Sequence, residues 1–594
     1  MRRVLPFVAV SLGAVFAACA PDEVHDDSSG DATVVDKDAS RDTASDSSNE
    51  AGLDTTVALE AAPDEGPDGM LDVFEAPPLA PDDFRVPGTQ MGDVAPYMYG
   101  TASSCTWCHS GSAVPNGPYE TWKGSLMAWA GKDPLFWAQL ATATQDVPDV
   151  GYYCVRCHVP MAIPTGHAAK GRESVLDDTD RDGVTCHFCH SMVDPVYVAG
   201  VSPAGDEKIL ASLKEVPKTY GNAQFVLDPM GTRRGPYVLS NPYHATIASP
   251  FVKKSEMCGT CHDVGNPAIS KLPDGTWFLN PMGAPAPDAS PHAQFPLERT
   301  FSEWRLSSFA KGGVSMKGRF GGEGADVVSS CQDCHMPVAK GRGCVYALEH
   351  DDLRRHDFAG ASSWVLRAIA VDNPTFATTL ENGAKAADAM VQRAATLALS
   401  RKGPILTVRV ANQSGHKLPT GHIEGRRVFL AVQALDGGGT VVKEWGRWDP
   451  LTGDLDEAST TVFEMQVGLS AAAASVTGLP AGTTTHMSLA NVIVKDNRIP
   501  PLGFANAAFE AAGAPVVGAK YADGQNWADV DFTMPSTAKR AKVVLYYQTV
   551  TRHYIDALRD GNVTDDWGKR LHVAWEKTGK GAPVAITSAE LAMP

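Results

Sequence analysis

Residues 182–190 form the stretch Asp-Gly-Val-Thr-Cys-His-Phe-Cys-His, which ends in a Cys-x-x-Cys-His motif. Two cysteines three positions apart, followed directly by a histidine, are the pattern through which a haem is attached covalently. The cysteines form thioethers with the haem vinyl groups, and the histidine binds the iron as its proximal ligand. The motif therefore predicts a c-type haem at this point of the chain.

The motif occurs five times, whereas chance would give about 0.01 occurrences in a chain of this composition. Zinc knuckles would combine cysteine pairs into four-ligand sites without a histidine after every pair. A redox dithiol normally occurs once per domain, within a βαβ pattern. We therefore predict five haem c groups, with these attachment cysteines and proximal histidines: Cys105, Cys108 and His109; Cys154, Cys157 and His158; Cys186, Cys189 and His190; Cys258, Cys261 and His262; Cys331, Cys334 and His335.

A low-spin electron-transfer haem also needs a distal ligand, usually histidine or methionine, whereas an open position indicates catalysis. The chain has 17 histidines, so enough remain after the five proximal ones to supply distal ligands. A hydrogen-bonded or surface histidine, or a methionine that fills core space, is the alternative for each candidate. The candidate distal ligands are His167, His244, His356, His416, His422 and Met127.

Two cysteines lie outside the motifs. Residues 16–19, Phe-Ala-Ala-Cys, follow two arginines and an apolar stretch too short to span a bilayer, which is typical of a secretory signal. They resemble a bacterial lipobox, which predicts a signal over residues 1–18, lipidation at Cys19 and an exported protein anchored by lipid in the periplasm or at the outer membrane. A simple cleaved signal with an incidental cysteine is the alternative. Cys344 is interpreted as a lone buried thiol.

The composition excludes two classes of protein. With 594 residues, 43% hydrophobic and 20% charged, the chain is ordinary for a soluble globular protein and not for a multi-span membrane protein. The net charge of −18 argues against a nucleic-acid partner, which requires basic surfaces.

Most of the negative charge lies in one segment. Residues 22–75 contain 17 acidic and two basic residues and almost no aromatic residues. Such a segment cannot bury enough apolar surface to offset its chain entropy, so residues 19–90 are predicted to be a disordered acidic tether. The signal carries Arg2 and Arg3, which leaves a net charge of −5 for residues 76–594.

The rest of the chain is predicted to be α+β and multidomain. Residues 91–362 form a mostly helical and loop pentahaem cytochrome c domain, in which the porphyrins supply much of the apolar core. Residues 363–403 form a linking helical segment, with a helix predicted from Ala384 to Ser400. Short alternating segments over residues 404–594 predict an antiparallel β-sandwich, with strands near 406–410, 428–432, 440–447, 461–467, 484–494, 528–533 and 543–547.

A loop between the first two of these strands carries two histidines. Residues 414–422 are Ser-Gly-His-Lys-Leu-Pro-Thr-Gly-His, and the domain that contains them has no haem motif of its own. We hypothesise that the loop returns to a haem, where His416 or His422 binds the iron. A polar contact between the domains is the alternative.

Several stretches resemble multihaem c-type cytochromes whose haem domain is similar to the tetrahaem cytochrome and hydroxylamine oxidoreductase group. They are residues 119–125 (Tyr-Glu-Thr-Trp-Lys-Gly-Ser), 182–190, 255–264, 331–337 and 356–360 (His-Asp-Phe-Ala-Gly). Residues 415–421 and 495–504 resemble bacterial lipoprotein relatives of that group. The chain departs from this pattern at Met127, where the family has a histidine.

These observations predict an electron carrier at the cell envelope that works with redox protein partners. No Gly-rich phosphate loop or Gly-x-Ser-x-Gly elbow indicates a different chemistry. The alternative is a multihaem oxidoreductase that reduces or oxidises a small nitrogen or sulfur compound at an open haem.

Overall fold

The computed structural model describes residues 84–95, 99–171, 175–238, 243–281, 286–322 and 325–593. The predicted signal, Cys19 and most of the acidic tether lie outside these residues. The class is mixed α+β, as predicted. No α-helix of the described ranges combines the length and the apolar character that crossing a bilayer requires.

The part of the chain that carries the motifs, residues 99–362 (the motif region), is built from short elements. Its helices are α1 (Thr106–His109), α2 (Pro118–Trp122), α3 (Pro134–Asp146), α4 (Gly151–His158), α5 (Ala162–Thr165), α6 (Cys186–Cys189), α7 (Asp206–Ser212), α8 (Ser255–Gly259), α9 (Thr300–Leu306) and α10 (Cys331–His335).

Its strands are β1 (Met192–Val193), β2 (Val226–Leu227), β3 (Arg233–Gly235), β4 (Thr246–Ala248), β5 (Val264–Lys271), β6 (Trp277–Leu279), β7 (Gln294–Glu298), β8 (Val314–Ser315), β9 (Val327–Val328), β10 (Val338–Gly341) and β11 (His350–Arg354). They form small sheets, of which the largest has the order β6-β5-β7.

Two helices follow the motif region: α11 (Ser363–Asp372) and α12 (Ala377–Val391). The predicted helix from Ala384 to Ser400 is therefore wrong in its second half, where Ala395–Lys402 is the strand β12. Residues 396–399 alternate in side-chain direction, and β12 pairs along its length with β13 (Ile405–Asn412) across the turn at Gly403, whose φ is 59°. Pairing with a neighbouring strand outweighs the helical propensity of the alanines and leucines.

The remaining elements form the sheet region, residues 395–593. They are β14 (Arg427–Leu435), β15 (Val441–Trp445), β16 (Val462–Leu469), α13 (Ala471–Thr477), β17 (Gly482–Thr483), β18 (Val492–Asp496), α14 (Asn506–Ala511), β19 (Trp527–Thr533), β20 (Arg540–Gln548), α15 (Arg552–Gly561), α16 (Trp567–Lys577) and β21 (Val584–Ala592).

Two antiparallel sheets of the sheet region enclose one apolar core. One sheet has the order β12-β13-β19, and the other has β17-β16-β14-β20-β21 with β15 and β18 at the side. Leu406 and Val408 of the first sheet and Val543 and Leu545 of the second are fully buried in that core. The predicted strand over 484–494 is wrong for residues 484–491, which are mostly turn and loop, and β21 was not predicted.

The two regions share residues in a second core. Helices α15 and α16 lie between β20 and β21 in the chain but pack on α3 of the motif region. Trp137 and Trp567 stack at 6.1 Å between ring centres, and Tyr554, Ile555 and Leu571 join the same cluster of buried side chains.

Candidate haem sites

Each Cys-x-x-Cys-His motif lies on or beside one helical turn. The motifs fall at α1, α4, α6, α8 and α10. A helical turn places residues i and i+3 on the same face, so both thiols of a motif point to the same side and the histidine lies next to them. The side chains of Thr185 and Ser330 cap α6 and α10. This local geometry fits the attachment of a haem to both cysteines.

Three motif histidines are held by backbone carbonyl groups. The Nδ1 atoms of His109, His190 and His335 lie 2.6 Å, 2.6 Å and 2.8 Å from the carbonyl oxygens of Gly343, Arg234 and Ala359, respectively. A carbonyl oxygen can only accept, so Nδ1 carries the proton and donates it. The lone pair of Nε2 is then free, which is the arrangement that metal-binding histidines adopt.

Burial keeps most of these imidazoles neutral. It lowers the pKa of His190 and of His335. Burial, followed by the proximity of His422, lowers the pKa of His158 to about 4. The ring of His158 stacks on Phe136 at 3.9 Å and an interplanar angle of 8°. Only neutral imidazole binds a metal, so these environments favour the ligand form.

The fourth motif differs from the other four. Nδ1 of His262 lies 3.0 Å from a carboxylate oxygen of Glu298. Burial alone would lower the pKa of His262, but the charge and the hydrogen bond of Glu298 outweigh it and raise this pKa to about 9. A charged acceptor, and not a carbonyl group, therefore fixes this ring.

Two candidate distal histidines face motif histidines. The ring centres of His109 and His244 are 6.4 Å apart, and those of His190 and His356 are 6.2 Å apart. Metal–imidazole bonds are about 2 Å long, so two imidazoles on opposite sides of one metal ion have ring centres about 6 Å apart. Both pairs therefore leave room for one iron between two imidazoles.

The loop 414–422 of the sheet region reaches two further motifs. Burial lowers the pKa of His416 to about 4, and the neighbouring His335 acts in the same direction. His422 lies near His158, and its Nε2 is buried without a hydrogen-bond partner among the described residues. A buried nitrogen without a partner is unfavourable unless a ligand or metal satisfies it. These positions support the hypothesis that the loop contributes distal ligands.

Buried charges hold this loop against both regions. Nζ of Lys417 lies 2.7 Å from Asp496, and both side chains are completely buried. Arg498 bridges Asp496, at 2.7 Å, and Glu303 of α9, at 3.1 Å. Glu303 also accepts hydrogen bonds from the backbone N–H of Lys417 and from the hydroxyl of Thr420. The network fixes His416 and the loop beyond it.

Two other candidates have different surroundings. Nδ1 of His167 lies 2.5 Å from the buried Asp180, and potential ligand atoms of His167, Asp177 and Asp180 lie within 4.8 Å of one another. Met127 begins a 3-10 helix, and its carbonyl oxygen accepts a hydrogen bond from Val184. Their ligand roles stay predictions.

Contacts between motif cysteines connect the five sites. The thiols of two different motifs lie close enough to shift each other's pKa in three pairs: Cys105 and Cys186, Cys157 and Cys261, and Cys258 and Cys331. Burial, and then the neighbouring Cys261, raise the pKa of Cys189 to about 12. The fourth motif therefore adjoins the second, third and fifth, while the first adjoins the third.

Sequence reasoning missed Glu298 and the charges around Lys417. Glu298 lies in no motif, so no pattern in the sequence marks it. Residues 495–504, which include Asp496 and Arg498, stood out only as part of a resemblance. The thiols on single turns, the spacing of the histidine pairs and Nε2 of His422, which has no hydrogen-bond partner in the described part of the chain, together fit haem c groups.

Comparisons with known proteins add one similarity. No protein-family model matches the chain, and no curated protein matches it. Among solved structures, a penta-heme cytochrome c552 from Thermochromatium tepidum is 18% identical, covers 84% of this chain and 99% of its own, and has a TM-score of 0.46. The superposition is loose at this score, so the haem assignment rests on the side-chain geometry.

Proposed function

We propose that this protein is a multihaem c-type cytochrome that carries electrons through five covalently bound haems. The observation that carries the proposal is the spacing of two histidine pairs, whose ring centres lie 6.4 Å and 6.2 Å apart and whose motif histidines donate a hydrogen bond from Nδ1 to carbonyl groups. This arrangement suits low-spin haems with two histidine ligands, which transfer electrons without binding a substrate.

Four haems would each have a histidine on both sides. We assign His244 to the haem of His109 and His356 to that of His190 from the ring spacing. We assign His422 to the haem of His158 and His416 to that of His335 from their proximity. Bound haem supplies reversible one-electron chemistry, while the chain fixes the imidazoles and excludes water from them.

The contacts between motifs suggest the route of the electrons. Electron tunnelling decays steeply with distance, so neighbouring motifs exchange electrons fastest. The first motif adjoins only the third through the contacts described above, and the fourth adjoins three others. A redox partner protein would therefore exchange electrons at an outer haem, and the fourth would distribute them.

The haem content tests the proposal. Protein produced in cells that attach haem c should carry five haems, as counted by intact mass and by the pyridine haemochrome spectrum. Replacing both cysteines of one motif by alanine should remove one haem, whereas Cys344→Ala should keep all five. A chain that carries zinc or free thiols in place of haem would contradict the proposal.

The distal assignments have a spectroscopic test. His244→Ala and His356→Ala should each convert one low-spin haem to high spin in the electron paramagnetic resonance spectrum, and so should His416→Ala and His422→Ala. His486→Ala is the matched control, since that histidine lies outside the motifs and pairs with Asp146 at 2.8 Å. Unchanged low-spin signals in all four variants would refute the assignments.

One observation favours a second candidate function, a reductase or oxidase of a small nitrogen or sulfur compound. Among the described residues, no candidate distal histidine is assigned to His262, whose histidine neighbours are the motif residues His158 and His335. Its haem would then have an open position, at which substrates bind in multihaem enzymes. Carbon monoxide or nitrite should perturb the spectrum of one of the five haems. If neither compound changes any haem spectrum, this activity is excluded.

We also propose that the chain is exported and anchored by lipid at Cys19. The apolar stretch after Arg2 and Arg3 and the small residues before Cys19 support this location, as does the attachment of haem c outside the cytoplasm. Wild-type chain should incorporate labelled palmitate and fractionate with membranes. Cys19→Ser should lose the label and become soluble.

A further inference from the structure

Glu298 is the charged group that contacts a motif histidine at Nδ1. His109, His190 and His335 donate this hydrogen bond to neutral backbone carbonyls, whereas His262 donates it to a carboxylate at 3.0 Å. The difference concerns the motif that adjoins three others and to which no candidate distal histidine is assigned. The fourth site therefore differs in charge as well as in position.

The fold holds Glu298 in place. It ends β7, where it pairs with Val264, and Val264 begins β5 only two residues after His262. A hydrogen bond from Thr300 also supports the carboxylate, and the side chain of Glu298 is 18% exposed. Strand pairing therefore places the carboxylate beside the imidazole with little freedom to turn away.

Positively charged and hydrogen-bonding neighbours surround the Glu298 carboxylate. Arg426 is a nearby positive charge, and the hydroxyl of Thr300 supplies a hydrogen bond. Arg426 also donates to the carbonyl oxygen of Thr420 at 2.7 Å and to the hydroxyl of Ser362 at 3.3 Å, so its charge is shared. A negative charge consequently remains next to the axial ring.

A carboxylate acceptor changes the electronic character of an axial histidine. It draws the Nδ1 proton more strongly than a carbonyl group does and so makes Nε2 a stronger electron donor. A stronger donor stabilises ferric over ferrous iron and lowers the reduction potential of the haem.

We infer that Glu298 is a positioning residue that gives the haem of His262 the lowest reduction potential of the five. This inference rests on the proposed function, because it concerns a haem attached at the fourth motif. It also narrows the second candidate function to reduction, since an electron-donating axial ligand suits a haem that passes electrons to a bound oxidised nitrogen or sulfur compound.

The test is a spectroelectrochemical titration of the five-haem holoprotein and its Glu298→Gln variant. Glutamine keeps an acceptor oxygen but removes the charge, so the lowest of the five midpoint potentials should rise while the other four stay unchanged. In the ferrous protein, the iron–histidine stretching band of an open haem should shift to lower frequency in the same variant. Unchanged potentials with five haems bound would overturn the inference.

Two further variants keep the test decisive. Asp146→Asn removes a carboxylate from His486, a histidine outside the motifs, and should leave all five potentials unchanged. If Glu298→Gln fails to bind its fourth haem, Glu298→Asp retains the charge at a shorter reach, and its lowest potential should still rise above that of the wild type. An unchanged lowest potential in Glu298→Asp would then overturn the inference, whereas a wild-type chain without haem would instead refute the proposed function.

Discussion

The motif region and the sheet region bury apolar residues in different ways. The strands of the motif region are often two or three residues long, whereas β13, β14, β16, β20 and β21 have eight or nine residues each. The sheet region closes a core of aliphatic side chains from two facing sheets. The motif region instead surrounds its cysteines with short helices and loops. We expect a region with so little regular structure to depend on its cofactors for stability, and we expect the sheet region not to.

The largest effect that tests this comparison is expected when the chain lacks haem. Chain produced without the haem-attachment machinery should lose amide protection throughout the motif region, because the porphyrins supply apolar surface that the short elements lack. Strands β13, β14 and β20 should stay protected. Hydrogen exchange with mass spectrometry measures both regions in one sample, and equal loss of protection in the two would contradict the comparison.

The next largest effect is expected where the regions meet. Lys417→Met should lower the free energy of unfolding of the holoprotein by about 3 kcal/mol, because it removes one partner from a completely buried ion pair. It should also alter the spectra of the haems assigned to His416 and His422. Urea unfolding measures the first effect and electron paramagnetic resonance the second.

An exposed ion pair is the matched control for this variant. Arg409 and Asp529 lie 2.7 Å apart on the surface of the smaller sheet. Arg409→Gln should leave both the stability and the haem spectra unchanged, since exposed pairs contribute little. Similar results for the two variants would show that the buried network does not hold the loop.

Truncating a buried side chain should change stability differently in the two cores, depending on whether haem is attached. Leu545→Ala removes a fully buried side chain of the sheet region and should destabilise it by about 3 kcal/mol whether or not haem is attached. Ile163→Ala, in α5 of the motif region, should have a measurable effect in the holoprotein only. Thermal unfolding of both forms of both variants would show whether the cores are independent.

The smallest expected effect concerns helix caps. The hydroxyl of Ser470 accepts a hydrogen bond from the N–H of Ala473 at 3.1 Å, and Ser470→Ala should cost about 1 kcal/mol. Ser330 caps the fifth motif helix in the same way. Ser330→Ala should cost less in the holoprotein, because two thioethers restrain that turn in the unfolded chain as well. Equal costs by urea unfolding would contradict this reasoning.

Strands were predicted correctly from the sequence where the residue pattern had only one structural interpretation. Alternating residues over 406–410, 428–432 and 543–547 predicted β13, β14 and β20, and these predictions are confirmed. The pattern failed at Ala395–Lys402, because alanine and leucine suit either a helix or a strand and the pairing with β13 decides between them. The residue pattern also did not indicate that α15 and α16 join the core of the motif region.

The sequence by itself determined the predicted attachment sites, since two thiols and a histidine within five residues form such a site on a single helical turn. Tertiary structure decided which histidine faces which motif, because the partners lie far apart in the chain: His109 and His244, or His422 and His158. It also decided that the fourth motif adjoins three others and contacts Glu298. Spacing along the chain fixes local geometry, but only folding brings distant side chains to the distances at which charge and coordination act.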